Sequence, residues 1–361
     1  MDAALARLVD QIQTARAAKG TLRIVGGATK DFYGNAASGQ PLDVKPLAGI
    51  SNYEPSELVV TVRAGTLLDE LEAALAEQGQ HLAFEPPRYV ARGTVGGMVA
   101  AGLAGPARAS AGGVRDHVLG ATLANGRGQV LTFGGQVMKN VAGYDVSRAL
   151  AGSMGTLGVI CEVSLKVLPL PVATETIRFE CDQAEALKRL NAWGGQPLPI
   201  TASAWWSGML VLRLAGARAA VDTACTALGG ESIDAPLAAA FWRGLRDHGD
   251  EYFATAAKAV DQGAALWRLS LPCAAPPIAL QGEQLIEWGG AQRWLVSRAD
   301  AAMVREAADK AGGHATLLRA KDRSAGAFQP RPAATMRIQT ELMNAFDPDR
   351  VFDRARMWAQ T

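Results

Sequence analysis

Cysteine is scarce and scattered in this chain of 361 residues. Cys161, Cys181, Cys225 and Cys273 are the only four, and no two form a C-x-x-C pair. Zinc and iron–sulfur centres need clustered thiolates, so neither is expected, and a disulfide framework is not expected either. Cys161 falls inside a strand-like pattern and reads as a small core residue. Apolar runs are short as well: none approaches the roughly 18 residues needed to cross a bilayer. The N-terminus, MDAALARLVDQ, carries acidic residues where a signal peptide needs a basic start and an apolar core. An excess of one charge is also missing, with 36 Lys and Arg against 35 Asp and Glu. That balance gives no footprint for nucleic acid or for an anionic membrane surface. The expectation is a cytoplasmic protein, peripheral on the inner membrane only through partners, and long enough for two domains.

Glycine is what the chain has in quantity, 39 residues in all. Many fall between Arg92 and Pro171, where Gly93, Gly96, Gly97, Gly112, Gly113, Gly152, Gly155 and Gly158 alternate with strand-like runs. Glycine pairs between apolar runs suggest main-chain N–H groups brought against a ligand, or a turn-rich β domain that needs glycine for its own packing. Earlier, Leu22–Val25 reads as a short buried strand entering Gly26-Gly27-Ala28-Thr29-Lys30, a turn that exposes successive N–H groups as an anion nest. Neither a P-loop nor a G-x-G-x-x-G fingerprint is present. Residues 3–19 have helical periodicity stopped at Gly20, and Thr66-x-x-Asp69 looks like a capped helix start. Asn125-Gly126 signals a hairpin. Ala151–Gly155 comes within one residue of a G-x-S-x-G elbow, but Leu157, Val159, Val163, Leu165 and Val167 follow with a period of two. A strand there argues against a serine hydrolase.

The segments GTVGG (93–97), GGVRDHVLGATLANGRGQVL (112–131), GYD (143–145) and GSMGTLGVICEVSLKVLPLP (152–171) resemble, in order, the FAD-binding domain of the vanillyl-alcohol-oxidase and p-cresol-methylhydroxylase (PCMH) type. Within it the resemblance is closest to the FAD-binding E subunits of bacterial glycolate oxidases. The resemblance implies an α+β fold: a two-lobed PCMH-type FAD-binding domain over 1–171, with lobes of about 1–52 and 53–171. An α+β antiparallel-sheet cap domain over 172–325 follows, and a C-terminal segment, 326–361, returns to the FAD domain. The cap's alternating strand and helix patterns suggest one sheet with helices on one face. The tail ELMNAFDPDRVFDRAR resembles the family's closing K-x-x-F-D-P-x-x-x-F-N-P-G-R, with Asp353-Arg354-Ala355 in place of Asn-Pro-Gly.

By resemblance the cofactor is FAD, and its binding residues are Gly26, Gly27, Ala28, Thr29, Pro86, Gly93, Thr94, Gly96, Gly97, Gly112, Gly113, Gly158 and Val159. Ala28 stands where relatives carry glycine or histidine, and residues 22–30 contain no histidine or cysteine. FAD held without a covalent bond is therefore expected. The implied function is that of an FAD-binding subunit supporting glycolate oxidation to glyoxylate, with electrons passing through flavin. Its implied partners are a larger FAD-containing catalytic subunit and an iron–sulfur subunit. No histidine-rich motif of the catalytic relatives is present; His248-Gly-Asp250-Glu keeps only three letters of one, and His117 reads as a polar residue near the cofactor rim. A self-sufficient FAD-linked 2-hydroxy-acid dehydrogenase would have to use Arg115, Lys139 and Tyr144 as the polar groups facing the flavin. A third alternative is a non-catalytic assembly subunit.

Overall fold

The computed structural model describes residues 2–135 and 145–358, which form two compact units. The first comprises Met1–Leu103, Gly113–Pro169 and Pro330–Thr361, and the second Ala104–Gly112 and Leu170–Gln329.

The first unit begins with a helix, Ala3–Ala17. Asp2 caps it by accepting hydrogen bonds from the amides of Ala4 and Leu5, and the helix buries Leu8, Val9, Ile12 and Ala15. The strand Leu22–Val25 pairs in parallel with Gln40–Asp43. On the other side of Leu22 the C-terminal tail is bound: the Leu22 amide donates to Val351 O at 2.7 Å, and the Asp353 amide donates to Leu22 O at 3.0 Å. Asp347, fully buried, organises that tail, its carboxylate accepting from the amides of Val351 (2.9 Å) and Phe352 (3.0 Å). Ile12, Leu22, Leu42, Val159, Val351 and Phe352 share one apolar cluster beneath these elements.

A five-stranded antiparallel sheet completes this unit, in the order Ile50–Glu54, Val59–Arg63, Val159–Lys166, Val118–Ala124, Val130–Gly134. Val159–Lys166 is central, so its buried residues run almost continuously instead of alternating. Even Ser164 is buried, hydrogen-bonded to the Thr61 hydroxyl at 2.9 Å. One local expectation differs from what is found. Thr66 does not cap the following helix, Leu68–Glu77; its hydroxyl exchanges hydrogen bonds with the backbone of Gly49. The hairpin expected at Asn125-Gly126 is present, closed by a five-residue loop in which the Asn125 side chain accepts from the amides of Arg127 and Gln129. A β-carbon on Gly126 would run into Asp347, so this glycine serves tail docking.

The second unit is an eight-stranded antiparallel sheet with helices on both faces, not one. Neighbouring residues of Ala173–Glu180 show this directly. Ile177 packs with Ala186, Leu190, Val221 and Ala224 of the helices Gln183–Gly194 and Arg218–Leu228. Thr176, on the opposite side, accepts a hydrogen bond from the Trp242 indole of the helix Ala235–Asp247. Trp242, Trp267 and Trp294 are buried and belong to the core. Residues 104–112, assigned from sequence to the FAD-binding domain, belong to this unit. Gly105 O accepts from the Trp288 indole at 3.0 Å, Arg108 lies over the Trp288 ring at 4.7 Å, and Ser110 bonds to Thr201 O.

Candidate cofactor-binding site

An open cleft in the first unit is built where several chain segments converge. One wall is the turn that follows Leu22–Val25. Ala28 takes a left-handed conformation there (φ 54°), and the amides of Gly26, Gly27, Ala28 and Thr29 donate to no other described residue. These N–H groups are therefore available to an anion. The turn is pressed onto the second segment: a β-carbon on Gly27 would fall on Arg92 O, and one on Gly26 on the Thr94 hydroxyl.

The second segment, Gly93–Gly97, enters the helix Val95–Ala101, capped by Thr94, whose hydroxyl accepts from the Gly97 amide at 3.3 Å. Its amides are largely spent within the protein, Val95 donating to Thr66 O (2.9 Å) and Gly96 to Ala64 O (2.7 Å). Gly96 packs so closely that an added β-carbon would lie 2.7 Å from Ala64 Cβ. What this segment offers the cleft is a floor without bulk, from Gly96, Gly97, Ala100 and Ala101. Met154, Gly155, Gly158 and Ile160 close the far side, with Met154 also left-handed (φ 51°).

The third segment is the tail, which places Phe352, Asp353 and Arg356 on the cleft. Arg356 donates to Lys30 O (2.6 Å) and Tyr33 O (3.2 Å), and lies 3.5 Å from Asp31. Asp353, standing where the resembled family has asparagine, accepts from the Ser38 amide and hydroxyl and from the Ala355 amide. Arg23 lies 4.0 Å from Asp31. Available amides, a flat floor of small residues and three cations suit an extended dinucleotide carrying a diphosphate.

Of the residues singled out in the sequence, Gly26, Gly27, Ala28, Thr29, Thr94, Gly96, Gly97 and Gly158 line this cleft. Pro86, Gly93, Gly112, Gly113 and Val159 do not. Val159 is buried in the central strand, and the Gly113 amide donates to Asp116. Arg115 is exposed on the short helix Val114–His117, away from the lining. Lys139 and Tyr144 lie outside the described residues. His117 is buried against the Phe84 ring, with Nδ1 3.2 Å from Lys166 O, and is not on the cleft. Sequence reasoning missed the lining side chains Arg23, Asp31, Tyr33, Met154, Asp353 and Arg356. The tail motif was the available signal for Asp353 and Arg356.

The His248-Gly-Asp-Glu run is a helix–helix corner. His248, left-handed at φ 57°, ends Ala235–Asp247, and Asp250 caps Glu251–Asp261 by accepting from the Phe253 amide. The His248 ring stacks on Phe253 at 3.8 Å, and burial first, then Arg319 and Arg268, hold its pKa well below the usual histidine value. Burial likewise pushes the Cys161 thiol up to about 12, as suits an inert core residue. Among the described residues no group of three or more His, Cys, Asp or Glu could hold a metal, and no helix is long and apolar enough to cross a membrane.

Residues 4–134 match the family described as FAD binding domain. The chain is 45% identical over 353 residues, 98% of its length and 97% of the relative's, to the glycolate oxidase subunit GlcE of Escherichia coli. It is 31% identical to the glycolate oxidase subunit GlcD of Bacillus subtilis, but only over 134 residues, 37% of this chain and 28% of that one. Among solved structures an alkyldihydroxyacetonephosphate synthase superposes on 96% of this chain and 73% of its own, with a TM-score of 0.65 at 15% identity. That last likeness concerns the fold and confirms the PCMH-type α+β architecture. Taken with the near full-length match, these findings place the chain in the FAD-binding glycolate oxidase subunit GlcE family.

Proposed function

We propose that this chain holds FAD, without a covalent bond, as one subunit of a glycolate oxidase complex that converts glycolate to glyoxylate. A larger FAD-containing catalytic subunit and an iron–sulfur subunit are its partners. The observation that carries the cofactor reading is the turn Gly26–Thr29, which lines the cleft and whose four amides have no partner among the described residues. Flavin, when bound, supplies the two-electron chemistry. The residues of this chain supply position and charge: the turn and its cations receive the diphosphate, and Gly96, Gly97 and Ala100 leave room for a planar ring. Gly26, Gly27, Ala28, Thr29, Thr94 and Gly158 are the cofactor-binding residues we favour.

Dependence on partners is supported by the lining itself. Among the described residues both of its carboxylates are engaged, Asp31 with Arg23 and Arg356, and Asp353 with Ser38. Neither is poised to take a proton from a substrate hydroxyl. The likeness to GlcD, confined to 134 residues, supports a second subunit that shares the flavin half.

The purified chain should show flavin absorption bands, and acid precipitation should leave the pellet colourless with the yellow in the supernatant. Glycolate should be turned over with an artificial acceptor only when the partner subunits are present. Brisk turnover by the isolated chain would overturn the subunit reading, and a yellow pellet the non-covalent one.

A further inference from the structure

The eight-stranded sheet of the second unit is two copies of one motif joined edge to edge. The first copy has the strands Ala173–Glu180, Ile200–Trp206, Met209–Gly216 and Glu231–Ser232, and the second Ala265–Ser270, Glu283–Glu287, Gln292–Ser297 and His314–Arg319. In each, the first strand lies between the third and the fourth, and the two second strands pair to join the copies. The copies also match residue by residue. Ile177 pairs with Leu212 in the first and Trp267 with Leu295 in the second. Each pair packs on a valine of the helix after the third strand, Val221 of Arg218–Leu228 and Val304 of Ala301–Lys310. They differ between their first and second strands. In the first copy residues 181–199 contain the helix Gln183–Gly194, whose Ala186 and Leu190 share an apolar cluster with Ala224, buried at 3% exposure. In the second, residues 271–282 contain no helix. Adjacent Pro276 and Pro277 oppose one. Arg293, one residue into its strand where the first copy has Leu210, is fully buried and donates to Ala275 O, Pro276 O (2.6 Å) and Gly290 O (3.2 Å). That guanidinium fixes the segment in its irregular path. An open groove is left between residues 276–280 and the helix Ala301–Lys310. Ala307, the counterpart of buried Ala224, lines the groove half-buried, and Met303 on its wall is 55% exposed.

We infer that this groove receives an amphipathic helix of a partner subunit, in the place that Gln183–Gly194 fills in the first copy. The inference rests on the subunit reading above and goes beyond it by assigning one surface through which a partner is held. The first copy shows what covers such a face: a helix that buries Ala186, Leu187 and Leu190 along one side. The chain's own segment cannot supply it, being held by Arg293. The groove also states the chemistry of its occupant. Pro276, Ile278, Leu280, Met303 and Ala307 offer aliphatic surface, and the charges that line it, Glu306 and Lys310, pair with each other at 2.7 Å. An apolar stripe recurring at i, i+3 or i+4, and i+7 fits that lining. The wall helix Ala301–Lys310 has 10 residues, so roughly three turns of the partner helix are engaged.

The test purifies the complex from its native cell through a tag on this chain, as wild type, Met303→Glu, Ala307→Glu and Leu237→Glu. Leu237 is the control, 66% exposed on the helix Ala235–Asp247 of the opposite face. Met303→Glu and Ala307→Glu should each lower the recovery of a partner subunit roughly tenfold or more, the scale of a lost central contact. The FAD content and melting temperature of the chain itself should stay at the wild-type level, and Leu237→Glu should recover the whole complex. In the same cells p-benzoylphenylalanine at position 303 should crosslink to a partner subunit, within a stretch carrying the helical apolar stripe. Unchanged recovery in both groove variants overturns the assignment and leaves the subunit reading intact. So does a crosslink to a second copy of this chain, to a protein outside the complex, or to none. A wild-type chain that purifies alone overturns both. If Ala307→Glu does not fold, the exposed Met303→Glu and the crosslink decide.

Discussion

The two glycine segments of the cleft look alike in sequence and use their amides to different extents. Gly26–Thr29 leaves four of them without a partner among the described residues, whereas the Val95 and Gly96 amides donate to Thr66 O and Ala64 O. Their glycines also exist for different neighbours. Gly27 is glycine because Arg92 O occupies the space where a side chain would begin, and Gly96 because Ala64 does. A glycine-rich stretch is thus not by itself an anion nest. The first segment is a turn projecting beyond the end of a two-stranded parallel pair, with no further strand to take its hydrogen bonds. The second is threaded past a loop and into a helix, which take the amides of Val95, Gly96 and Gly97.

Perturbing the frame of the first segment alone should break this comparison most severely. Asp347→Ala would strand the amides of Val351 and Phe352 and loosen the tail from Leu22, with a cost of about 2–4 kcal/mol read in denaturant unfolding. FAD affinity should fall with it, because Asp353 and Arg356 leave the cleft. An unchanged affinity would show that the turn does not depend on the tail. Next comes Gly27→Ala, which forces the two segments apart against a backbone oxygen that cannot rotate away. A destabilisation of roughly 2–3 kcal/mol is expected, with a fall of several degrees in melting temperature.

Smaller effects sharpen the contrast. Ala28→Gly relieves a left-handed residue but frees the unfolded chain, so a net gain of about 0.5 kcal/mol is expected, with FAD affinity unchanged. Gly93→Ala should be nearly silent, within ~0.5 kcal/mol, since its β-carbon would meet Leu68 Cδ1 at an ordinary 3.4 Å. A large loss at Gly93 would mean that the second segment meets its ligand more closely than the first.

Several elements were legible in the amino-acid sequence because their signals are local. The strand Leu22–Val25, the central strand after Gly158 and the Asn125-Gly126 hairpin follow from runs of apolar residues punctuated by turn chemistry. Other features depended on partners distant in sequence. Thr66 could equally have capped a helix, and only the nearness of Gly49 sends its hydroxyl elsewhere. Residues 104–112 read as one more glycine-bounded piece of the flavin half until the Trp288 indole and the backbone of Thr201 claim them. The helices of the second unit are amphipathic in sequence, but amphipathicity does not say which face of a sheet a helix covers.

The sequence by itself determined the family, the strand and helix types and the order of the loops, since each of these is carried by neighbouring residues. Which amides remain available, which glycines are enforced by close approach, and how Lys30, Asp353 and Arg356 come to share one cleft were decided only by tertiary structure. The physical reason is that a hydrogen bond or a steric conflict belongs to a pair of groups, and here the second member lies tens to hundreds of residues away.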